Sequence, residues 1–195
     1  MKILGLTGSM GAGKDTVAKI LARRGAMVIN ADKVAHMLYA PQTAVWREIV
    51  KTFGSKILNR GGAINRHKLG EIVFADKKKL RELNRIVHPA LKKEVKTIIK
   101  NSSLLTAHFS LIVVNAAVLK EIGLVDYVDE VWVVTAPKET RLKRLIKTGL
   151  SKQAALRRIN SQSSKKDYLK VADRVIRNHG TIRELRKFLA IKHDK

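Results

Sequence analysis

The sequence predicts a three-layer α/β domain in which a parallel sheet is covered by crossover helices. Three observations carry that expectation. Short apolar runs rich in β-branched residues alternate with longer amphipathic stretches, the order that builds βαβ units. The first run opens into a glycine-rich loop, "GLTGSMGAGKDT" (Gly5 to Thr16), which leads into a helix. The chain has 195 residues, 45% hydrophobic and 29% charged, enough for one domain with a substantial core.

"KILGLT" (Lys2 to Thr7) reads as a buried first strand. "DTVAKILARRG" follows as a helix with Val17, Ile20 and Leu21 on one face and Gly25 at its end. "AMVIN" (Ala26 to Asn30), "LIVVN" (Leu111 to Asn115) and "EVWVVT" (Glu130 to Thr135) are the second, third and fourth strands. "DRVIRN" (Asp173 to Asn178) is the last, and "TIRELRKFLAI" closes the chain as a helix capped by Thr181.

Residues 40–103, between strands two and three, read as an insert that is helical throughout. "TAVWREIVKTFG" has Val45, Ile49, Val50 and Phe53 at helical spacing, "NRGG" (Asn59 to Gly62) is a turn, and Pro89 starts a further helix. A second helical insert, 136–170, separates strands four and five and is rich in Arg and Lys. No repeat or linker interrupts 1–195, so the inserts belong to a single domain.

Composition excludes several classes. With no cysteine, neither a disulfide framework nor a thiolate metal site is possible, and a reducing cytoplasm is the expected location. The apolar run "ILGL" is too short for a signal peptide, and "LIVVNAAVL" (Leu111 to Leu119) falls short of the roughly 18 residues of a membrane helix. The net charge of +24, from 40 Lys and Arg against 16 Asp and Glu, attracts polyanions. These charges are spread along the whole chain, which is the pattern of a solvated basic surface.

Gly8, four residues, Gly13 and Lys14 spell a phosphate-binding loop. Its backbone N–H groups can ring the β- and γ-phosphates, Lys14 adds a mobile charge, and the following helix N-terminus favours anions. The candidate nucleotide contacts are Gly8, Met10, Gly11, Ala12, Gly13, Lys14, Asp15 and Thr16. The next position after Lys14 ordinarily carries Ser or Thr, whose hydroxyl holds Mg²⁺. Here it is Asp15, so either the loop has stopped binding nucleotide or the metal is held in another way, with Asp15 as its candidate ligand. "NAD" (Asn30 to Asp32) ends strand two, where an acid lies in the ligand crevice of a parallel sheet. Asp32 can serve there as a general base, or simply as the N-cap of "KVAHML".

The loop, "INAD", "GGAINRHKLGEIVFAD", "LNRIVHPAL", "GLSKQAALRRINSQ" and "VADRVIRNHGTIREL" follow one another in a familiar order. Through them nearly the whole chain resembles the dephospho-CoA kinases. The resemblance implies a three-layer P-loop kinase core with a five-stranded parallel sheet in the order 2-3-1-4-5. It implies transfer of the γ-phosphoryl of ATP, with Mg²⁺, to the ribose 3′-hydroxyl of dephospho-CoA, the last step of coenzyme A biosynthesis. Asp32 aligns with that family's base, and the first insert would seat the acceptor, with Arg66 and His88 at landmark positions. The second insert would be a lid carrying Arg144 and Arg158 as phosphate clamps, and Asn178 and Gly180 fall where the family contacts adenine. Two of these have structural readings as well: His88, before Pro89, as a buried turn histidine, and the lid arginines as a solvated basic face.

The departures concern the metal and the acceptor. The family usually carries Ser or Thr at 15, Asp at 30, and an acid with a following Pro near 115–117; here stand Asp15, Asn30, Asn115 and Ala117. Strands one and three are expected neighbours, so Asp15 and Asn115 would share one site, the carboxylate having moved from strand to loop. Two other functions use the same loop: a nucleoside or deoxynucleoside monophosphate kinase, and a catalytically silent protein that binds nucleotide or nucleic acid.

Overall fold

The computed structural model describes residues 1–104, 109–162 and 164–190. Strands β1 (Lys2–Thr7), β2 (Met27–Asn30), β3 (Leu111–Asn115), β4 (Glu130–Thr135) and β5 (Arg174–Arg177) form one parallel sheet in the order β2-β3-β1-β4-β5. The three central strands are apolar on both faces, as strands sandwiched between helix layers must be. Their register sets Leu6 beside Asn115 and Thr7 beside Val133, so the carboxyl ends of β1, β3 and β4 finish together.

One face of the sheet is covered by α1 (Lys14–Ala22) and α9 (Ile182–Ala190). Val17, Ile20 and Leu21 pack there with Leu4, Leu6, Val113, Trp132, Leu185 and Leu189. The other face carries α2 (Ala31–Leu38), α3 (Ala44–Phe53), α4 (Arg66–Ala75) and α5 (Lys77–Leu104). Between β4 and β5 run α6 (Lys138–Lys147), α7 (Lys152–Asn160) and α8 (Lys165–Leu169). Helices α6 and α7 share a small core of Leu145, Ala155 and Ile159, against which Met10 of the glycine loop packs. That contact ties the loop to the helix pair.

Three local expectations are corrected. Pro89 does not start a helix: α5 runs through it for 28 residues. A proline in a helix interior costs about 3 kcal/mol. Leu83, Val87, Leu91, Val95 and Ile99, four residues apart, are all buried along one stripe. At about 1.5–3 kcal/mol for each such side chain, the stripe outweighs the proline. Nor is the segment after β2 helical throughout, because Leu58 and Ile64 form an antiparallel bridge around Arg60–Gly62. Trp46 Nε1 fastens that turn by donating to the Gly62 carbonyl at 3.0 Å. Finally, Asp32 is not the cap of α2. Asn30 is, its side chain accepting the Lys33 N–H at 3.0 Å, which leaves Asp32 free in the first turn.

At the chain's end Thr181 Oγ1 accepts the Glu184 N–H, and the Glu184 carboxylate accepts the Thr181 N–H at 2.7 Å. This reciprocal pair closes the start of α9. Ile191, included in the expected final helix, lies outside the described residues.

Candidate active site

The glycine loop leaves β1 at Gly8 and enters α1 at Lys14. Gly8 has φ +135°, and a Cβ there would lie 2.2 Å from the Val134 carbonyl oxygen. Only glycine lets the chain turn this close over β4. Gly13, at φ +97°, passes as close to the Asn178 side chain. The Lys14 ammonium donates to the Gly8 carbonyl at 2.9 Å, across the mouth of the loop. Burial lowers the Lys14 pKa, and the nearby carboxylates of Asp32 and Asp15 oppose that fall.

Three elements brace the loop from outside. Arg144, on α6, donates from Nη1 to the Gly11 and Ala12 carbonyls at 3.2 and 3.1 Å, and from Nη2 to the Asn178 carbonyl at 3.3 Å. Buried Asn178, just past β5, donates from Nδ2 to the same Ala12 carbonyl at 2.8 Å. Gln162 accepts the Met10 N–H at 2.7 Å. Arg144 and Asn178 thus hold loop carbonyls, whereas Gln162 holds a loop amide.

Asp15 stands in the first turn of α1, where Asn115 Nδ2 donates to its Oδ1 at 2.7 Å. Asn115 itself is buried. The expected meeting of these two side chains is therefore present. Lys14, Asp15 and Asp32 all line a cleft of about 680 Å³, together with Met10, Gly11, Gly13, Thr16 and Arg144.

The far wall of that cleft holds Arg66 at the start of α4 and His88 within α5, beside an apolar lining that includes Leu69, Val73 and Phe74. Arg66 Nη1 meets the His36 imidazole, with Nδ1 at 2.9 Å. His36 and Tyr39 follow Asp32 by four and seven residues, so α2 turns all three to one side. Burial lowers the His36 pKa, Arg66 lowers it further, and Asp32 opposes them. The Tyr39 hydroxyl is pushed up to about 12, mainly by burial and secondarily by Asp32. Burial also lowers the His88 pKa, opposed by a hydrogen bond to the Glu121 backbone. Arg158, on α7, stacks over the Phe74 ring of α4, 5.3 Å from its centroid, so the α6–α7 pair reaches across the cleft.

Gly8, Ala12, Asn178 and Gly180 do not line this cleft. His179, between the last two, borders a second hollow of about 630 Å³ beside the loop, shared with Ser9, Pro137, Arg141 and Lys165. Arg141 Nε is buried there without a hydrogen-bond partner among the described residues. Gly180 lies in an open groove between β5 and α9.

Sequence reasoning assigned no role to Gln162, Arg141, His36 or Tyr39. Gln162 lies inside the quoted "GLSKQAALRRINSQ", but a side chain that accepts one backbone N–H leaves no spacing signal. His36 and Tyr39 could have been found from their helical spacing to Asp32. No group of three or more acidic, His or Cys side chains gathers among the described residues, so a metal here would depend on ligands from a nucleotide.

A parallel sheet in this order, a glycine loop running into a helix and an acid just beyond β2 define a P-loop kinase. The comparisons with known proteins specify which. The dephospho-CoA kinase family model matches residues 2–184. The dephospho-CoA kinase of Aquifex aeolicus is 44% identical over 187 residues, covering 96% of this chain and 93% of that one. That of Carboxydothermus hydrogenoformans is 40% identical over 188 residues, with coverage of 96% and 90%. Among solved structures, a Thermus thermophilus protein superposes with a TM-score of 0.75 at 29% identity, covering 97% of this chain and 95% of its own. The dephospho-CoA kinase of Campylobacter jejuni gives 0.67 at 29% identity, with the same coverage. A shikimate kinase from Acinetobacter baumannii, at 17% identity and a TM-score of 0.57, shares the fold. The chain belongs to the dephospho-CoA kinase family. It is an ATP-dependent phosphotransferase, and this activity is favoured over a monophosphate kinase or a silent binding protein.

Proposed function

We propose that the 680 Å³ cleft moves the γ-phosphoryl of ATP to the ribose 3′-hydroxyl of dephospho-CoA, with Asp32 as general base and Lys14 as the mobile cation. One observation carries this assignment. Asp32, Lys14 and Asp15 converge at one end of a cleft whose other wall is apolar and carries Arg66 and His88. The phosphate loop thus shares one cleft with an apolar wall against which an acceptor can lie.

In this reading the Gly8–Thr16 segment holds the β- and γ-phosphates, and Lys14 exchanges its Gly8 carbonyl for phosphate oxygen. Asp32 takes the proton of the 3′-hydroxyl, and that oxygen attacks the γ-phosphorus. The bond to the β–γ bridging oxygen breaks, and ADP leaves with its electron pair. Positioning and charge neutralisation supply most of the acceleration of such a transfer. Arg144 contributes as a cation beside the loop and as its brace, and Arg158 as the second arginine of a lid made by α6–α8. Arg66, backed by His36, and His88 position the acceptor against the helices that follow β2. We assign adenine to the Asn178–Gly180 segment, beside the hollow bordered by His179.

The residues fit Mg²⁺. Asp15 is a hard oxygen donor at the loop, and one or two carboxylates plus phosphates are the usual ligands of this ion. Held there by Asp15, Mg²⁺ would supply charge neutralisation to the transferring phosphates. The cysteine-free chain suits a reducing cytoplasm, which we assign as the site of the reaction.

A panel of acceptors coupled to ADP release tests the reading. Dephospho-CoA is expected to turn over while nucleoside monophosphates do not. A preference for a monophosphate would replace the acceptor assignment. ATP consumption with none of them, alongside steeply salt-dependent RNA binding, would favour the nucleic-acid role instead.

A further inference from the structure

We infer that this kinase carries a charge-exchanged metal site: the carboxylate sits on the phosphate loop as Asp15, and Asn115 on β3 is its positioning residue. The inference rests on the nucleotide reading above. Phosphate loops ordinarily offer the metal a hydroxyl from the position after the lysine and an acid from a neighbouring strand end. Both positions are altered here, in opposite senses. The hydroxyl position carries an acid and the strand end carries an amide. Either arrangement supplies one negative charge.

The geometry makes the two changes one unit. β1 and β3 are adjacent, with Leu6 in register with Asn115, so the end of β3 lies beside the strand that launches the loop. Asn115 is buried, and its amide Nδ2 donates to Asp15 Oδ1 at 2.7 Å. A carboxylate accepts hydrogen bonds and cannot donate them, so the residue facing it must be a donor. An acid at 115 would set two carboxylates 2.7 Å apart and repel. A Ser at 15 facing Asn115 would leave the site with no carboxylate from either position. Each substitution therefore makes sense only with the other. The hydrogen bond engages one oxygen of Asp15, and the residue lines the cleft together with Lys14 and Asp32. Partners that orient a metal ligand in this way commonly change metal affinity 10–100-fold (roughly) when removed.

Calorimetric titration of ATP, with and without Mg²⁺, on the full chain tests this without requiring turnover. The quantity read is the factor by which Mg²⁺ tightens ATP binding, checked by the Mn²⁺–ATP electron-resonance signal. Asp15→Asn keeps an oxygen for Asn115 to donate to, so its melting temperature should hold while the Mg²⁺ factor falls roughly tenfold or more. Asp15→Ser and Asn115→Asp should each lower the factor as well. Asp15→Ser/Asn115→Asp, which restores the usual order of hydroxyl and acid, should return to within about threefold of the unaltered protein. The inference is overturned if Asp15→Asn keeps the full Mg²⁺ factor, or if the double variant loses the product of the two single losses. ATP affinity without metal and dephospho-CoA turnover by the unaltered protein report separately on the kinase reading.

Discussion

Arg144 donates from Nη2 to the main-chain carbonyl of Asn178 at 3.3 Å, and the Asn178 side chain donates in turn to the Ala12 carbonyl, which Arg144 also holds. Helix α6, the end of β5 and the phosphate loop are thus closed into one ring of hydrogen bonds. An arginine of this helix is consequently structural before it is catalytic. Its fork serves three carbonyls that a lysine's single ammonium cannot reach together.

The first prediction follows from that ring. Arg144→Lys is expected to lower kcat/KM for ATP and the melting temperature together, and Arg144→Ala to cost about 1–3 kcal/mol of stability, the usual worth of charged hydrogen bonds. Denaturant unfolding beside steady-state kinetics checks both. Unchanged stability in Arg144→Ala would show that the ring does not brace the loop.

Asp32→Asn should leave ATP affinity nearly unaltered while kcat falls roughly 10²–10⁴-fold, the usual contribution of a positioned base. Asn30, not Asp32, caps α2, so the variant keeps its helix start. Thermal melts should therefore be unchanged, and a kcat close to the original would remove Asp32 from the chemistry.

Lys14→Ala should abolish measurable transfer, because the remaining loop donors are fixed amides and only Lys14 can follow the phosphoryl group. The single-turnover rate with saturating ATP is the measurement. A rate within tenfold (approximately) of the original would contradict the loop's assignment.

Gly8→Ala is expected to destabilise the fold by more than about 2 kcal/mol. Its φ of +135° disfavours any side chain, and the Cβ would meet the Val134 carbonyl, a backbone atom that cannot rotate away. Gly25, also at positive φ but with open space around it, is the control and should tolerate alanine better.

Acid pH should weaken the acceptor site through His36. Its pKa lies below the ordinary 6.5, through burial and then Arg66, against the opposing pull of Asp32. The folded state therefore favours neutral imidazole. That contribution is fully present above 6.5 and is lost as pH falls through the lower folded value. Dephospho-CoA KM is expected to rise over that window as imidazolium repels Arg66, and His36→Gln should flatten the rise. An identical pH profile in the variant would count against it.

Much of this protein is determined by local pattern. The ends of β1, β3 and β4 are set by apolar runs and their polar neighbours, and the glycine loop by spacings that only phosphate-binding turns require. Lys14 and Asp15 are identifiable from the spacing of the glycine loop, and Asp32 from its place just past β2. Other features depend on partners far along the chain. The continuity of α5 through Pro89 was decided by a buried stripe whose energy exists only once the core forms. Arg144 and Asn178 became loop braces because the sheet order brings residues 34 positions apart together over Ala12. The pairing of Asp15 with Asn115 stands between these cases. The expected adjacency of strands one and three already joined the two residues, and the fold adds the 2.7 Å hydrogen bond between side chains 100 residues apart. Sequence spacing encodes what neighbours along the chain must do, whereas hydrogen bonds between strand ends are created by the packing of the sheet.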